Sequence, residues 1–470
     1  MVPALLLLTN SGCMDLRPKM DATLPSDFPK QFSLYSPQKA LLTPWWQDFG
    51  SSELNRLQAT ALQKNPDLQI AWARMRQSRA AAEKAGAAIV PDLSAGATGA
   101  TLRSKNGDGR EQSYDDFFLG LNSSWEMDLW GRVRAGSESA ATSARAMEED
   151  AHTAALSLSG QIAEAWINLL NNRQKATQLE EQLAIHNKLL ELIEMRFMMA
   201  KASALDVYQQ GQTVKAIEGG LITVRAQAQL ALHQLALLTG RATSDQLDLE
   251  QSSFPEITPT PATGLPADLL AARPDIRAAG LRLQSSTWSV AAARADRLPR
   301  LQLDASMNYS AGILDALLDT WILRLAAGLS GPIFDGGRRT AEVARTMAVV
   351  DERLANYKKV VLTAIREVED ALTREQQFRR TIDNIDQQIE LTENAYREAT
   401  WRYLNGISDF LAVLREQINL ITLQLDRIQA GSDLLKARIS LHKALGGSWL
   451  DTLTPPEKSV SKPVHEEGKG

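Results

Sequence analysis

The sequence predicts an α+β membrane protein in which several copies pool short β-strands into one barrel and long helical hairpins continue it. Three observations carry this expectation. The 470-residue chain is written twice, each half holds two short segments of period two, and each half then runs about 65 residues without proline before turning back.

The duplication is read from landmarks that keep step. NPDL at Asn65–Leu68 returns as RPDI at Arg273–Ile276. Pro66 is followed by Pro91, and Pro274 by Pro299, at the same spacing of 25 residues. LWGR ends at Arg132 and DGGR at Arg338. RFMMAKASALDVY, beginning at Arg196, returns as RYLNGISDFLAVL, beginning at Arg402. LLTG ends at Gly240 and KALG at Gly446. The offset is 208 residues for the early landmarks and 206 for the later ones. On this basis the chain divides into a signal segment (1–12), a lipidated extended arm (13–50), a first repeat (51–250), a linker (251–265), a second repeat (266–450) and a disordered tail (451–470).

Each half has the same order of elements. A helix of roughly 40 residues comes first, over 52–89 and 266–298, and is stopped by Pro91 or Pro299. Two alternating segments follow. In LQLDASMNY, Leu301, Leu303, Ala305, Met307 and Tyr309 share one face, with Gln302 and Asp304 on the other. In FFLGLNSSWEMDL, Phe117, Leu119, Leu121, Trp125 and Met127 oppose Asn122, Ser124 and Glu126. WILRLAAGL alternates likewise, and LSAGATGA has an apolar face made mostly of alanine. Period two marks strands. RSKNGDGREQSYDD, between the first two strands, reads as an exposed loop. After Gly131 and Gly337 the pattern becomes helical over a length that spans on the order of 100 Å, and a second helix returns from Ala204 or Asp409. Arg196–Tyr208 and Arg402–Leu414 are therefore the tips of two long hairpins.

Composition excludes several classes. A net charge of −5 lacks the basic footprint of a nucleic-acid binder. No run of 18 apolar residues exists, which excludes a membrane-spanning helix but not a barrel strand of about 9–11 residues. His152, His186, His233, His442 and His465 are scattered without ligand spacing, and neither a nucleophile elbow nor a phosphate loop occurs. The expectation is a protein that is not an enzyme and has no metal site and no cofactor. The single cysteine, Cys13, follows MVPALLLLTNSG, an apolar run ending in small residues, which suits cleavage before an acylated cysteine. One acyl chain anchors weakly, so it supplements another attachment.

Four strands present unpaired edges, which a bilayer forbids unless the sheet closes. Four cannot enclose a lumen, so copies must pool them, and three copies give twelve strands, an even count. The polar faces then line water, and Trp125, Trp130, Trp321 and Tyr309 suit the membrane interfaces.

WWQDFGSSELNRLQATALQKNPDL, SSWEMDLWGRVRAG, RPDIRAAGLRL, GPIFDGGRR and the paired tip turns together resemble the outer-membrane efflux factors, the TolC-like family, and the lipoprotein-type start resembles its NodT branch. The resemblance runs from Trp45 to Trp449. It implies a homotrimer with a 12-stranded outer-membrane barrel and a periplasmic α-barrel. It implies the exit duct of a tripartite efflux pump, partnered by a periplasmic adaptor and an inner-membrane transporter. Channels for type I protein secretion or metal-ion efflux are the alternative. It places Leu411 and Arg415 in the gate at the periplasmic entrance, with Asp206, Asp409 or Glu416 as candidate partners for Arg415. The family often carries an acidic residue where Arg415 stands. The turns, with Ala200, Lys201, Ser203, Gly406, Ser408 and Asp409, are the implied adaptor contacts. Gly406 permits the positive φ of a tight turn, and Ala200 predicts a looser first tip.

Overall fold

The structure, a computed structural model, describes residues 15–19, 31–32, 44–242, 247, 249–256, 261, 263 and 266–455, the side chains of 267 and 448 excepted. Cys13 and the segment before it lie outside the described residues, as does the tail from residue 456.

In chain order the elements are α1 (Ser52–Lys64), α2 (Pro66–Ala87), β1 (Asp92–Lys105), β2 (Glu111–Met127), α3 (Arg132–Met198), α4 (Ala204–Leu238), α5 (Leu269–Ala272), α6 (Pro274–Ala295), β3 (Arg300–Ala311), β4 (Trp321–Ser330), α7 (Arg338–Leu404) and α8 (Phe410–Leu445). Short 3-10 turns occur at Trp45–Phe49, Pro266–Asp268, Leu314–Ala316 and Ser448–Thr452. The repeat holds at residue resolution: α2 and α6 have 22 residues each, and α3 and α7 have 67 each.

Several expectations are corrected. The first helix of each half is two helices. Asn65 and Arg273 both take extended backbone, with ψ 126° and 122°, because the proline that follows disfavours the helical region for the residue before it. The same prolines then open α2 and α6, where a missing N–H costs nothing. Asn65 adds a cap, accepting from the Leu68 N–H at 2.9 Å. The expected exposed loop of Arg103–Asp116 is mostly ladder. β1 and β2 stay paired from Asp92↔Ser124 to Lys105↔Glu111, and only a tight turn remains, closed by Asn106 N–H to Arg110 C=O at 3.0 Å. The N-terminal arm is not extended throughout, since Trp45–Phe49 forms a 3-10 turn with Trp45, Trp46 and Phe49 buried. Residues 451–452 complete the Ser448–Thr452 turn beside buried Leu450.

The chain forms two compact units by contact. The first takes Ala73–Glu149 and Arg277–Val360 with the described part of Met1–Ser26. Its sheet is a four-stranded antiparallel meander, β1-β2-β3-β4, so β1 and β4 keep free edges. Directly paired residues share a face. The registers Leu93↔Ser123, Leu121↔Met307 and Met307↔Leu323 therefore put every odd-numbered strand residue on one face and every even-numbered one on the other. The odd face carries Trp125, Met127, Leu301, Leu303, Leu325 and Leu329. Trp125 and Trp130 donate their indole N–H to Ile89 C=O at 2.9 Å and Pro299 C=O at 2.7 Å. Below the sheet, Leu283, Val290 and Val350 pack together, and Arg277 binds Glu149 at 2.8 Å.

The second unit takes the described parts of Asp27–Trp72, Asp150–Ile276 and Val361–Gly470. Its packed interior includes Trp166, Ile162 and Leu170, all fully buried. The duplication recurs as one joint built twice. Asn65 Nδ2 donates to Leu238 C=O at 2.9 Å, and Arg273 Nη1 to Ala444 C=O at 3.0 Å. Gly240 and Gly446, at φ 71° and 77°, sit where a Cβ would meet the carbonyl oxygen of Lys64 at 2.4 Å or Ala272 at 2.5 Å. The end of the first repeat and the start of the linker are held by hydrogen bonds: Arg173 donates to Leu249 C=O and Gln251 C=O, and the Glu53 carboxylate accepts from the Glu250 and Gln251 N–H groups. A buried bidentate pair, Arg438–Glu375, lies in α8 and α7 at 2.7 and 2.9 Å.

Candidate functional site

The sequence directs attention to the two hairpin tips, which lie in the second unit. Each long helix ends in the same way. At the first tip, Lys201 N–H bonds Arg196 C=O at 2.7 Å and Ala200 N–H bonds Phe197 C=O at 2.9 Å. At the second, Ile407 N–H bonds Arg402 C=O at 2.9 Å and Gly406 N–H bonds Tyr403 C=O at 3.1 Å. These paired bonds close the last helical turn and need a left-handed residue at its end. Gly406 supplies it at φ 71°, and Ala200 adopts it as well, at φ 56°. The first tip is thus not looser than the second. Its hydrogen bonds hold Ala200 in a conformation that costs roughly 1–2 kcal/mol for a residue with a Cβ.

The return helices start differently. Ser203 caps α4, accepting from the Asp206 N–H at 3.2 Å, while Asp206 accepts from the Ser203 N–H at 3.2 Å and from its hydroxyl at 2.8 Å. Asp409 caps α8 without a side-chain bond. Ser408 Oγ is buried and unpaired.

Asp206 does more than cap. Tyr403 Oη donates to its Oδ2 at 3.3 Å. The Tyr403 ring is buried with Phe410, Val413 and Ile193, and the Arg196 guanidinium lies 5.1 Å from its centroid. Burial, followed by the Asp206 charge, raises the Tyr403 phenol above its usual pKa, so it remains a proton donor at neutral pH. This clasp joins the start of α4 to the end of α7. Tyr403, Arg196 and Phe410 were missed as site residues in the sequence. Arg plus an aromatic opens both tips, but nothing in the spacing says that Tyr403 is 8% exposed and Phe197 47%.

Leu411 and Arg415 fall one helical turn apart on α8 and are both exposed, with Ile418 and Thr422 continuing the stripe. Arg415 Nε binds Glu416 Oε1 at 3.0 Å, with the Arg415 side chain 74% exposed and the Glu416 side chain 14%. Of the three carboxylates anticipated for it, Arg415 meets Glu416. Adjacent helical positions point about 100° apart, and the length of the arginine stem closes the gap. Asp206 is not brought to Arg415, because its carboxylate is engaged by Ser203 and Tyr403. Lys201 and Asp409 are exposed on the turns.

Deeper in the same hairpins, Gln210 Nε2 donates to His186 C=O at 3.0 Å, and burial lowers the His186 pKa. Among the described residues no group of His, Cys, Asp and Glu is arranged to hold a metal ion. No helix among them is long and apolar enough to cross a membrane.

Comparison with known proteins bears on the family and the fold of the chain. The profile of the family described as outer membrane efflux protein matches residues 57–241 and 265–447. The pyoverdine export outer membrane protein OpmQ of Pseudomonas aeruginosa is 34% identical over 415 residues, covering 86% of this chain and 87% of that protein. The solvent efflux pump outer membrane protein SrpC of Pseudomonas putida is 30% identical over 419 residues, covering 85% and 86%. Among solved structures, the outer-membrane channel OprN superposes with a TM-score of 0.82 at 28% identity, covering 92% of this chain and 97% of that one. VceC of Vibrio cholerae superposes at 0.80 and 28%, covering 86% and 98%. The chain belongs to the outer membrane efflux protein family, and it is an α+β outer-membrane efflux channel, a duct rather than an enzyme.

Proposed function

We propose that three copies of this chain form the exit duct of a tripartite pump, carrying small toxic solutes from the periplasm to the exterior with a periplasmic adaptor and an inner-membrane transporter. The observation that carries the reading is the sheet: an apolar odd face, a polar even face and two free edges on four strands. In lipid those edges must be paired, and further copies of the same sheet pair both. Cys13 is the acylation site and supplements the barrel as an anchor to outer-membrane lipid. Leu411 and Arg415 line the entrance, with the Tyr403–Asp206 clasp holding the hairpins that must part to open it. The exposed turns at Ala200–Ser203 and Gly406–Asp409 meet the adaptor.

The test is complementation of a deletion strain challenged with a panel of toxic compounds and an exported siderophore. The wild-type gene restores resistance or export. Gly406→Trp and Ser408→Glu restore neither, while membrane trimers persist on native gels. Full resistance with both variants removes the adaptor from these turns, and no phenotype with the deletion removes the pump reading.

A further inference from the structure

The duplication fixes how one copy's sheet meets the next. The two hairpins of the sheet obey a single rule: add 208 to a residue of β1 and 206 to a residue of β2, and a pair in the first hairpin becomes a pair in the second. Asp92↔Ser124 becomes Arg300↔Ser330, and Thr101↔Asp115 becomes Tyr309↔Trp321; both are observed pairs. The seam between the hairpins, β2 against β3, runs from Phe117↔Ala311 to Met127↔Leu301. The same rule carries β2 onto β4, and its inverse carries β3 back onto β1. Within one chain β4 and β1 lie at opposite edges of the sheet, so the transformed seam can be made only with a second copy.

We propose that β4 of one copy pairs with β1 of the next in this register, Leu323 opposite Arg103, Ala327 opposite Gly99 and Ile333 opposite Leu93, and that Gly331–Ile333 join β4 on assembly. The inference rests on the oligomeric-duct reading and specifies its interface.

Three independent features fit. The register pairs odd residues with odd, so the apolar face of β4 continues onto the Leu93–Thr101 part of the same face of β1 in the next copy, with Arg103 at its far end. Sizes are complementary along the middle of the seam: exposed Leu329 and Leu325 on β4 fall opposite Ala97 and Thr101 on β1, where Ala95 and Gly99 are the neighbours on the same face and the larger Leu93 and Arg103 stand at the two ends. Finally, Ile333, the last residue the rule adds to β4, is stranded in the single chain together with its neighbour Phe334. Ile333 is 102% exposed and Phe334 91%, the highest exposures among the large apolar residues described. They are held out on a braced turn, where the Asp335 carboxylate accepts from the Gly337 N–H at 3.0 Å and the Arg339 N–H at 3.3 Å. A large apolar pair held in water on a rigid turn marks a surface that a partner covers. Pro332 lies past the end of the β3–β4 ladder, so its missing N–H breaks no bond within the chain.

Disulfide trapping tests the register, because a bridge needs Cα atoms within about 7 Å and a slip of two residues moves a strand by about 7 Å. Full-length protein in outer-membrane vesicles is oxidised as the pairs Leu93→Cys with Ile333→Cys and Thr101→Cys with Leu325→Cys, beside the slipped pair Ala97→Cys with Ile333→Cys. The single variants, which retain Cys13, control for that thiol. Both in-register pairs should give covalent dimers and trimers on reducing-agent-free gels, at least tenfold more than the slipped pair and the singles. Preferential linking of the slipped pair, or no linking in a parent that native mass spectrometry shows as a trimer, overturns the register. A parent that is monomeric in detergent overturns the oligomeric-duct reading itself and the inference with it.

Discussion

At the scale of single residues, the tips separate what geometry demands from what charge permits. Ala200 occupies a left-handed position for which the matching residue of the other tip is glycine. Ala200→Gly removes a steric cost of roughly 1–2 kcal/mol and adds an unfolded-state entropy cost of roughly 0.5–1 kcal/mol, so a net gain of about 0.5–1 kcal/mol is expected at this turn. Hydrogen exchange at the Lys201 amide, which closes the turn, should slow by several-fold; unchanged or faster exchange contradicts the strain argument. Arg415 presents a different case. Its guanidinium is paired with Glu416 yet remains mostly in water, so the pair adds little stability, and at the proposed entrance its effect would lie in the field felt by passing ions. Arg415→Ala uncovers the Glu416 charge at the proposed entrance, and single-channel recording should show a larger current and a shift toward cation preference. Unaltered conductance and selectivity would place Arg415 away from the entrance.

At the scale of elements, the two halves show which parts of the fold are readable and why. The long hairpins and their tips were legible from the absence of proline across 132–198 and 338–404 and from the paired turn sequences. Three of the four strands were legible from alternation, and β1 only faintly, because Ala95, Ala97 and Gly99 give its apolar face little contrast. The breaks at Asn65 and Arg273 were hidden: apolar spacing continues across them, and a proline at the first turn of a helix resembles one inside it until the backbone before it is seen. The ladder through Arg103–Lys105 and Glu111–Asp115 was hidden because its polar residues carry no alternation; pairing with the neighbouring strand makes it a strand. Within the site, Leu411 and Arg415 were named from the family resemblance alone, whereas the Tyr403–Asp206 clasp depends on burial, which neither spacing nor resemblance disclosed. The twice-built joint supports a sharper expectation. Gly446→Ala sets a Cβ against the Ala272 carbonyl and forces a left-handed alanine, as does Gly240→Ala against Lys64. Each should cost about 1–3 kcal/mol, read as a lower denaturant midpoint of the trimer. Gly336→Ala, with positive φ but open space around its Cβ, should cost less than either. Equal losses at all three would mean that φ alone, and not the close approach of the backbones, governs these sites.

At the scale of the whole molecule, the question is what keeps the protein in its membrane. A sheet whose odd-numbered residues all face one way buries apolar surface in lipid on every strand, at roughly 25 cal/mol per Å². Detaching a closed barrel would expose all of that surface together with the strand edges. A single acyl chain gives only marginal and reversible binding. If Cys13 carries such a chain, the barrel and not the lipid sets residence in the membrane, and the lipid matters earlier, while the strands of separate copies are still unpaired. Cys13→Ala should therefore abolish labelling by radioactive palmitate and slow the appearance of trimers after pulse labelling. Trimers once formed should still require detergent for extraction and withstand carbonate washing. Release of assembled trimers by carbonate alone would show that the acyl chain holds the duct in place and that its strands are not closed in lipid.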